Sequence, residues 1–285
     1  MQMSGKVCLV TGATSGIGEV TARELVLAGA TVIILGRDAG KVERTAAGLD
    51  ALGKEKVQTL VADFSSQAAV RAAAAEVKRR FGKLQVLVNN AGAWNSERIL
   101  TPDGLETTFA VNHLAYFLFT LELQSLLEAS APARVVNVAS AAADLGKIQF
   151  DNLQGERSWS GFGAYCNSKL ANLLFTFELA RRLEGRGVTV NAAHPGAVAS
   201  GFGLNTKPIL RLGMKLIRPL LLTPEKGART QLYLATSPAV EGVTGRFFAK
   251  SRERRAPRAA RDVELARKLW EKSEELTRSA PAPTI

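Results

Sequence analysis

The sequence predicts an α/β fold: one doubly wound, mostly parallel seven-stranded sheet with helices on both faces. Three observations predict it. Short β-branched runs alternate with longer amphipathic stretches from residue 7 onward. The short runs are apolar throughout instead of alternating, as strands buried on both faces are. A glycine-rich turn joins the first strand to the first helix, at 11–18.

The elements follow in order. Residues 7–10 (Val-Cys-Leu-Val) read as a strand, and 17–28 as a helix carrying Ile17, Val20, Leu25 and Ala28. A strand at 31–35 precedes a helix at 41–52, where Val42, Ala46 and Leu49 share a face. Then come a strand at 57–62, an alanine-rich helix at 68–81 and a strand at 84–88. A long helix over 105–129, a strand at 135–138, a helix at 164–183 and a strand at 188–192 complete the alternation. No internal repeat and no linker interrupts it. Residues 1–285 are therefore expected to form a single domain, with a frayed tail at 279–285.

Composition narrows the function. The chain has 285 residues, 46% hydrophobic and 22% charged, as a globular protein does. No apolar run approaches the ~18 residues of a membrane span, and residues 1–6 carry no secretory pattern. Cys8 and Cys166 alone make no disulfide framework, so a reducing, cytoplasmic location is expected. His113 and His194 are too isolated to build a metal site, and none is expected. The net charge is +11. The densest run is Lys250, Arg252, Arg254, Arg255, Arg258 and Arg261; without interleaved aromatics it reads as a solvated face, with no nucleic-acid partner expected.

The turn Thr-Gly-Ala-Thr-Ser-Gly-Ile-Gly at 11–18 places glycines at 12, 16 and 18. Gly12 permits the tight turn, Gly16 a close approach to a pyrophosphate, and Gly18 the packing of helix on strand. Backbone N–H groups at the helix start offer a positive end to an anion. Three glycines alone are a weak sign; their place between first strand and first helix strengthens it. About twenty residues on, where a carboxylate would hold the ribose 2′-hydroxyl of NAD, the sequence reads Leu35-Gly36-Arg37-Asp38. Arg37 suits a 2′-phosphate, so NADP(H) is favoured over NAD(H), with Asp38 the remaining argument for NAD(H).

Further pieces recur in order: Asp63 after the third strand, Asn-Asn-Ala-Gly at 89–92, Asn112 in the long helix, Ser140 after the fifth strand, Tyr165-x-x-x-Lys169, and Pro195-Gly196 after the sixth. With the glycine turn they make the chain resemble the short-chain dehydrogenase/reductases over roughly residues 5–250. The stretches at 133–140, 164–183 and 194–198 resemble the retinol-dehydrogenase-like branch in particular. The resemblance implies a Rossmann-type domain in which Gly12, Thr14, Ser15, Gly16, Ile17 and Gly18 hold the cofactor phosphates. It implies Asp63 at the adenine edge, Asn89, Ala91 and Gly92 along the adenosine ribose, and Pro195, Gly196 and Val198 beside the nicotinamide. It assigns proton transfer to Tyr165, the nicotinamide ribose to Lys169, the substrate oxygen to Ser140 and a water relay to Asn112.

Chemistry agrees with that assignment. Tyrosine's ordinary pKa near ~10 is too high for a ready base, and a nearby ammonium favours the phenolate. Tyr165 and Lys169 are four apart, on one helical face. Asn112, Asp63 and Asn89 each also admit a purely structural role, bonding backbone or capping a helix.

Ser140 and Tyr165 lie 25 residues apart, leaving a loop at 146–161 with Phe150, Leu153 and Trp159 as one wall of a substrate pocket. A second insert at 202–222 is apolar, with Lys207, Arg211, Lys215 and Arg218 on one face. It reads as a lid, and 207–222 also as a peripheral membrane contact. Both suit a lipophilic aldehyde, ketone or alcohol, retinal or retinol being the best single expectation. A broad carbonyl reductase, a secondary-metabolite ketoreductase and a non-catalytic NADP(H) sensor are the alternatives. The long helices at 105–129 and 164–183 are expected to offer a homo-oligomer face.

Overall fold

The computed structural model describes residues 3–53, 57–198 and 221–278. The strands are β1 (Val7–Thr11), β2 (Thr31–Gly36), β3 (Gln58–Val61), β4 (Val86–Asn89), β5 (Ala133–Val138), β6 (Val188–His194), β7 (Arg246–Ala249) and β8 (Arg252–Glu253). They form one sheet in the order β3-β2-β1-β4-β5-β6-β7-β8, parallel except for the β7–β8 pair. The sheet thus has eight strands, not the expected seven. The extra one is a two-residue strand closed by a tight hairpin, with Lys250 and Ser251 both at positive φ. Neither residue is a glycine or asparagine, so the turn carries none of its usual sequence signals.

The helices are α1 (Gly16–Leu27), α2 (Ala39–Asp50), α3 (Gln67–Arg80), α4 (Thr107–Phe109), α5 (Ala115–Ala129), α6 (Gly161–Arg182), α7 (Pro224–Thr236) and α8 (Val263–Thr277). The long helix expected at 105–129 is not uniform. Its α4 and α5 parts are joined by a π-helical turn, Ala110–Leu114, that contains Asn112. On one face of the sheet, Val10, Val32, Ile34 and Val88 pack with Leu25 of α1 and Leu234 of α7. On the other, Leu9, Leu87 and Val135 pack with Val77 of α3, Phe119 of α5 and Leu179 of α6.

The C-terminal helix α8 lies against α5 and α6. Trp270 meets Phe117 and Phe175, and Arg182 stacks over its indole at 4.1 Å. His113 Nε2 pairs with Ser273 Oγ at 2.9 Å. Helix α8 therefore covers part of the helix face that the sequence offered to a second copy. Among the described residues no helix is long and apolar enough to cross a membrane. The insert at 202–222 falls outside the described residues up to 220.

Candidate active site

The site is built where the carboxyl ends of β1, β4, β5 and β6 meet the amino ends of α1 and α6. Gly12 sits at φ 65°, and a Cβ on it would fall 2.8 Å from Ala91 Cα. A Cβ on Gly18 would fall 2.3 Å from the Gly12 carbonyl oxygen and 2.4 Å from Asn90 Nδ2. These glycines let three backbones converge. Asn90 closes the junction, donating its amide to the Thr11 and Gly12 carbonyls at 2.8 and 3.2 Å. Thr11 Oγ1 accepts from the N–H groups of Asn90 and Ala91 at 2.8 and 3.0 Å. Sequence reasoning missed this clasp; the only signal was the second asparagine of the 89–92 motif. Ser15 is the N-cap of α1 but makes no side-chain capping bond, leaving that helix end available to an anion.

The end of β2 is closed to a carboxylate at position 36. A Cβ on Gly36 would meet Thr14 Cγ2 at 2.6 Å and Val42 Cγ2 at 2.9 Å. Arg37 is exposed, and no carboxylate among the described residues pairs with it. Asp38 is committed to α2, accepting from the Lys41 N–H at 2.8 Å. Asp63 is exposed and accepts from the Ser65 N–H at 2.9 Å, while Ser66 caps α3. Gly92 is exposed beside Ala91.

Asn89 needs a correction. It is wholly buried, and its amide donates to Thr120 Oγ1 and Asn137 Oδ1, both at 2.9 Å. Its side chain ties β4 to α5 and β5 instead of reaching for a ribose, because a buried amide must find partners inside.

Tyr165 and Lys169 occupy the first turns of α6, and Ser140 caps the short turn after β5. Ser140 is hydrogen-bonded to the Tyr165 hydroxyl, and its Oγ also accepts from the Ala142 N–H at 3.1 Å. Lys169 is 4% exposed, donates to the Val138 carbonyl at 3.0 Å, and lies 5.7 Å from the Tyr165 ring centroid. Burial pushes its pKa down to about 8. Burial raises the Tyr165 pKa, and the Ser140 bond only partly opposes this. In the protein alone, desolvation of the phenolate thus sets the direction for Tyr165, upward and not downward.

Asn112 is fully buried. Its Oδ1 accepts from Ala93 N at 2.7 Å, and its Nδ2 donates to the Ala93 carbonyl and to Ser168 Oγ, both at 3.0 Å. Both of its amide donors and one acceptor site are thus spent inside the protein. Ser168 was not foreseen.

After β6, Gly196 takes φ 88°. His194 Nδ1 accepts from Ala141 N at 3.1 Å, fixing the turn that carries Ser140. Val198 bridges to Leu222, and its methyls lie with those of Ile17 around Gly227, beside α1. Pro195 precedes this turn. In the 146–161 loop, Trp159 packs over Gly155, and Gly161 lies against the Asn95 carbonyl and Trp94. Trp94 thus packs against Gly161, one turn before Tyr165 on α6.

The residues fit a nicotinamide dinucleotide: a glycine cradle too tight for any Cβ, an open helix end, and a free arginine in place of a carboxylate.

Comparison with known proteins agrees. A family profile described as short chain dehydrogenase matches residues 6–208. The chain is 42% identical to retinol dehydrogenase 14 of Homo sapiens over 294 residues, 95% of this chain and 86% of that one. It is 44% identical to retinol dehydrogenase 12 of Bos taurus over 278 residues, 97% and 87% of the two chains. Among solved structures, a protein from Mycobacterium paratuberculosis superposes with a TM-score of 0.79 at 33% identity, covering 98% of this chain and 95% of that one. A short chain dehydrogenase from Burkholderia cenocepacia in complex with NADP does so at 0.71 and 28% identity, covering 87% and 97%.

Proposed function

The chain belongs to the short-chain dehydrogenase/reductase family, in its retinol-dehydrogenase-like branch, and we propose that it transfers a hydride between NADP(H) and a lipophilic aldehyde, ketone or alcohol. The observation that carries the reading is the Ser140–Tyr165–Lys169 cluster at the carboxyl end of the sheet, beside the glycine cradle.

NADPH held by the glycine turn at 12–18 and by Arg37 would supply the hydride for a carbonyl carbon. Tyr165, kept protonated by burial, gives its proton to the carbonyl oxygen, and Ser140 hydrogen-bonds that oxygen. Lys169 holds a positive charge behind the phenol ring, where it stabilises the phenolate left after transfer. In the oxidative direction Tyr165, as phenolate stabilised by the Lys169 ammonium, would take the alcohol proton, and NADP⁺ would be the hydride acceptor.

The preference for NADP(H) rests on the β2 end. Gly36 has no room for a carboxylate, Asp38 is spent on a helix cap, and Arg37 is free to pair with a 2′-phosphate. The NADP bound by the Burkholderia relative supports it. A lipophilic substrate is supported by Trp94, Phe150, Leu153 and Trp159 in the wall loops and by the retinol dehydrogenase relatives. Two free, buried cysteines support a cytoplasmic location.

The test is loss of absorbance at 340 nm with NADPH or NADH over a panel of aldehydes and ketones that includes retinal. Turnover with NADPH that disappears in Tyr165→Phe is expected. Turnover of small ketones but not of retinal would shift the reading to a broad carbonyl reductase. Binding of NADPH without any turnover would overturn it in favour of a sensor.

A further inference from the structure

We propose that a second cleft, at the opposite end of α6 from the hydride-transfer site, binds an amphiphilic anion that carries a phosphate group. At about 1.5 Å of rise per residue, Arg181 lies roughly 24 Å along α6 from Tyr165. There, α6, the start of β7 and the segment after β8 border an open cleft of about 700 Å³. That volume suits a small ligand.

Its lining divides into a floor and a rim. Half-buried Phe177 gives the floor its apolar surface, with the buried Ala180, Phe247 and Ala256 packed beneath it. The charged lining is five arginines, at 181, 246, 254, 255 and 261, against two carboxylates, Glu184 and Glu253.

The rim is partly fixed and partly unspent. Arg181 is tied to Glu178 at 2.6 Å, and Arg254 to Asp144, with its guanidinium over the Phe247 ring. Arg246 is 3.5 Å from Glu253. The exposed side chains of Arg255 and Arg261 have no ion pair among the described residues. Their backbone is nonetheless held. Ala256 and Ala260 are buried, and Arg254 N donates to the Phe247 carbonyl at 2.7 Å. Two free guanidinium groups are thus presented beside three others, on a fixed frame.

Like charges gathered in a cleft raise the local concentration of anions. Guanidinium forks match phosphate oxygens bidentately, so arginine rather than lysine points to phosphate. The apolar floor calls for a hydrocarbon portion on the same molecule. Nucleic acid fits poorly, because the Phe247 ring is buried beneath the Arg254 guanidinium and Phe177 alone gives no run of rings on which successive bases could stack. A free phosphorylated metabolite and the headgroup of an anionic phospholipid share the required chemistry.

The experiment uses the full chain with saturating NADPH, so that the glycine cradle is already filled. Calorimetry measures octyl phosphate and inorganic phosphate, and flotation measures phosphatidylglycerol against phosphatidylcholine vesicles. The variant is Arg255→Glu with Arg261→Glu. Arg79→Glu with Lys83→Glu, on and just after α3, makes the same change in net charge away from the cleft. Octyl phosphate is expected to bind wild type more tightly than inorganic phosphate. The cleft variant should lose at least tenfold in affinity and the α3 variant less than threefold, with hydride-transfer kcat unchanged in both. Arg255→Gln with Arg261→Gln replaces the cleft variant should the reversal fail to fold. Vesicle binding lost in the same variant assigns the ligand to a lipid headgroup; octyl phosphate binding without vesicle binding assigns it to a free metabolite. Absence of octyl phosphate binding, or equal losses in the cleft and α3 variants, would overturn the proposal.

Discussion

Asn112 donates its side-chain amide to Ser168 Oγ at 3.0 Å, and Ser168 donates in turn to the Tyr165 carbonyl at 2.8 Å. Asn112 also grips both backbone groups of Ala93. The π-helical turn, the loop after β4 and the first turns of α6 are thereby fastened at one point. That point is next to Tyr165, the proposed proton donor. The arrangement gives Asn112 a positioning role: it sets where Tyr165 and Lys169 stand.

Ser168→Ala should therefore lower kcat by about tenfold while leaving the KM for NADPH nearly unchanged. It should also cost about 1–3 kcal/mol of stability, because a buried amide loses its acceptor. Steady-state kinetics and thermal melts check both. A variant with the stability loss but wild-type kcat would show that the strut supports the fold and not the chemistry.

The pH dependence of kcat has a stated sign. Lys169 is depressed to about 8 and Tyr165 is raised, both by burial. As pH rises through about 8 the ammonium is lost while Tyr165 still holds its proton. Reduction should fall above about pH 8, and that limb belongs to Lys169. In Lys169→Arg the limb should move upward, since a guanidinium stays charged. A limb that stays near 8 in the variant would assign it to another group.

Cofactor choice is read at β2. Arg37→Ala should raise the KM for NADPH about 10- to 100-fold, as loss of a charged hydrogen bond worth about 1.5–3 kcal/mol does, and leave that for NADH unchanged. Gly36→Asp alone should not produce an NADH enzyme. Its Cβ would lie 2.6 Å from Thr14 Cγ2, so the loop is damaged before the carboxylate can help. Efficient use of NADH by Gly36→Asp would contradict this packing.

What the sequence revealed followed the range over which each signal acts. The parallel strands could be read because burial on both faces leaves uninterrupted apolar runs such as 7–10 and 31–35. Tyr165 and Lys169 could be read because their partnership spans one helical turn. Asn90 and Ser168 could not, because their partners Thr11 and Asn112 are 79 and 56 residues away. The choice between the two roles open to Asn89 was hidden for the same reason: whether its side chain faces a ligand or Asn137 depends on pairing between β4 and β5. The π-helical turn at Asn112 left no local mark. The buried stripe of α8, with Ala266, Leu269, Trp270 and Ser273, was present in the sequence at helical spacing and passed unread.

His113 ties the stability of the fold to acid. It is 1% exposed, bordered by Phe109, Phe117 and Phe175, and paired with Ser273 of α8. Burial pulls its pKa from 6.5 down to about 3, with Asn172 opposing. The folded value lies below the unfolded one. The stability it contributes is therefore complete above pH 6.5 and is lost progressively as pH falls toward 3, because the unfolded chain takes up a proton that the folded one refuses. At 1.36 kcal/mol per pH unit, the loss between pH 6.5 and 5 is about 2 kcal/mol. His113→Leu should be less stable than wild type at pH 7, having lost the bond to Ser273. It should nonetheless lose about 2 kcal/mol less than wild type on going to pH 5. Denaturant melts of the two proteins at both pH values measure the difference directly. The carboxylates cancel in that comparison, since both proteins carry the same ones. Parallel losses in the two proteins would mean that His113 gains access to water before the fold opens.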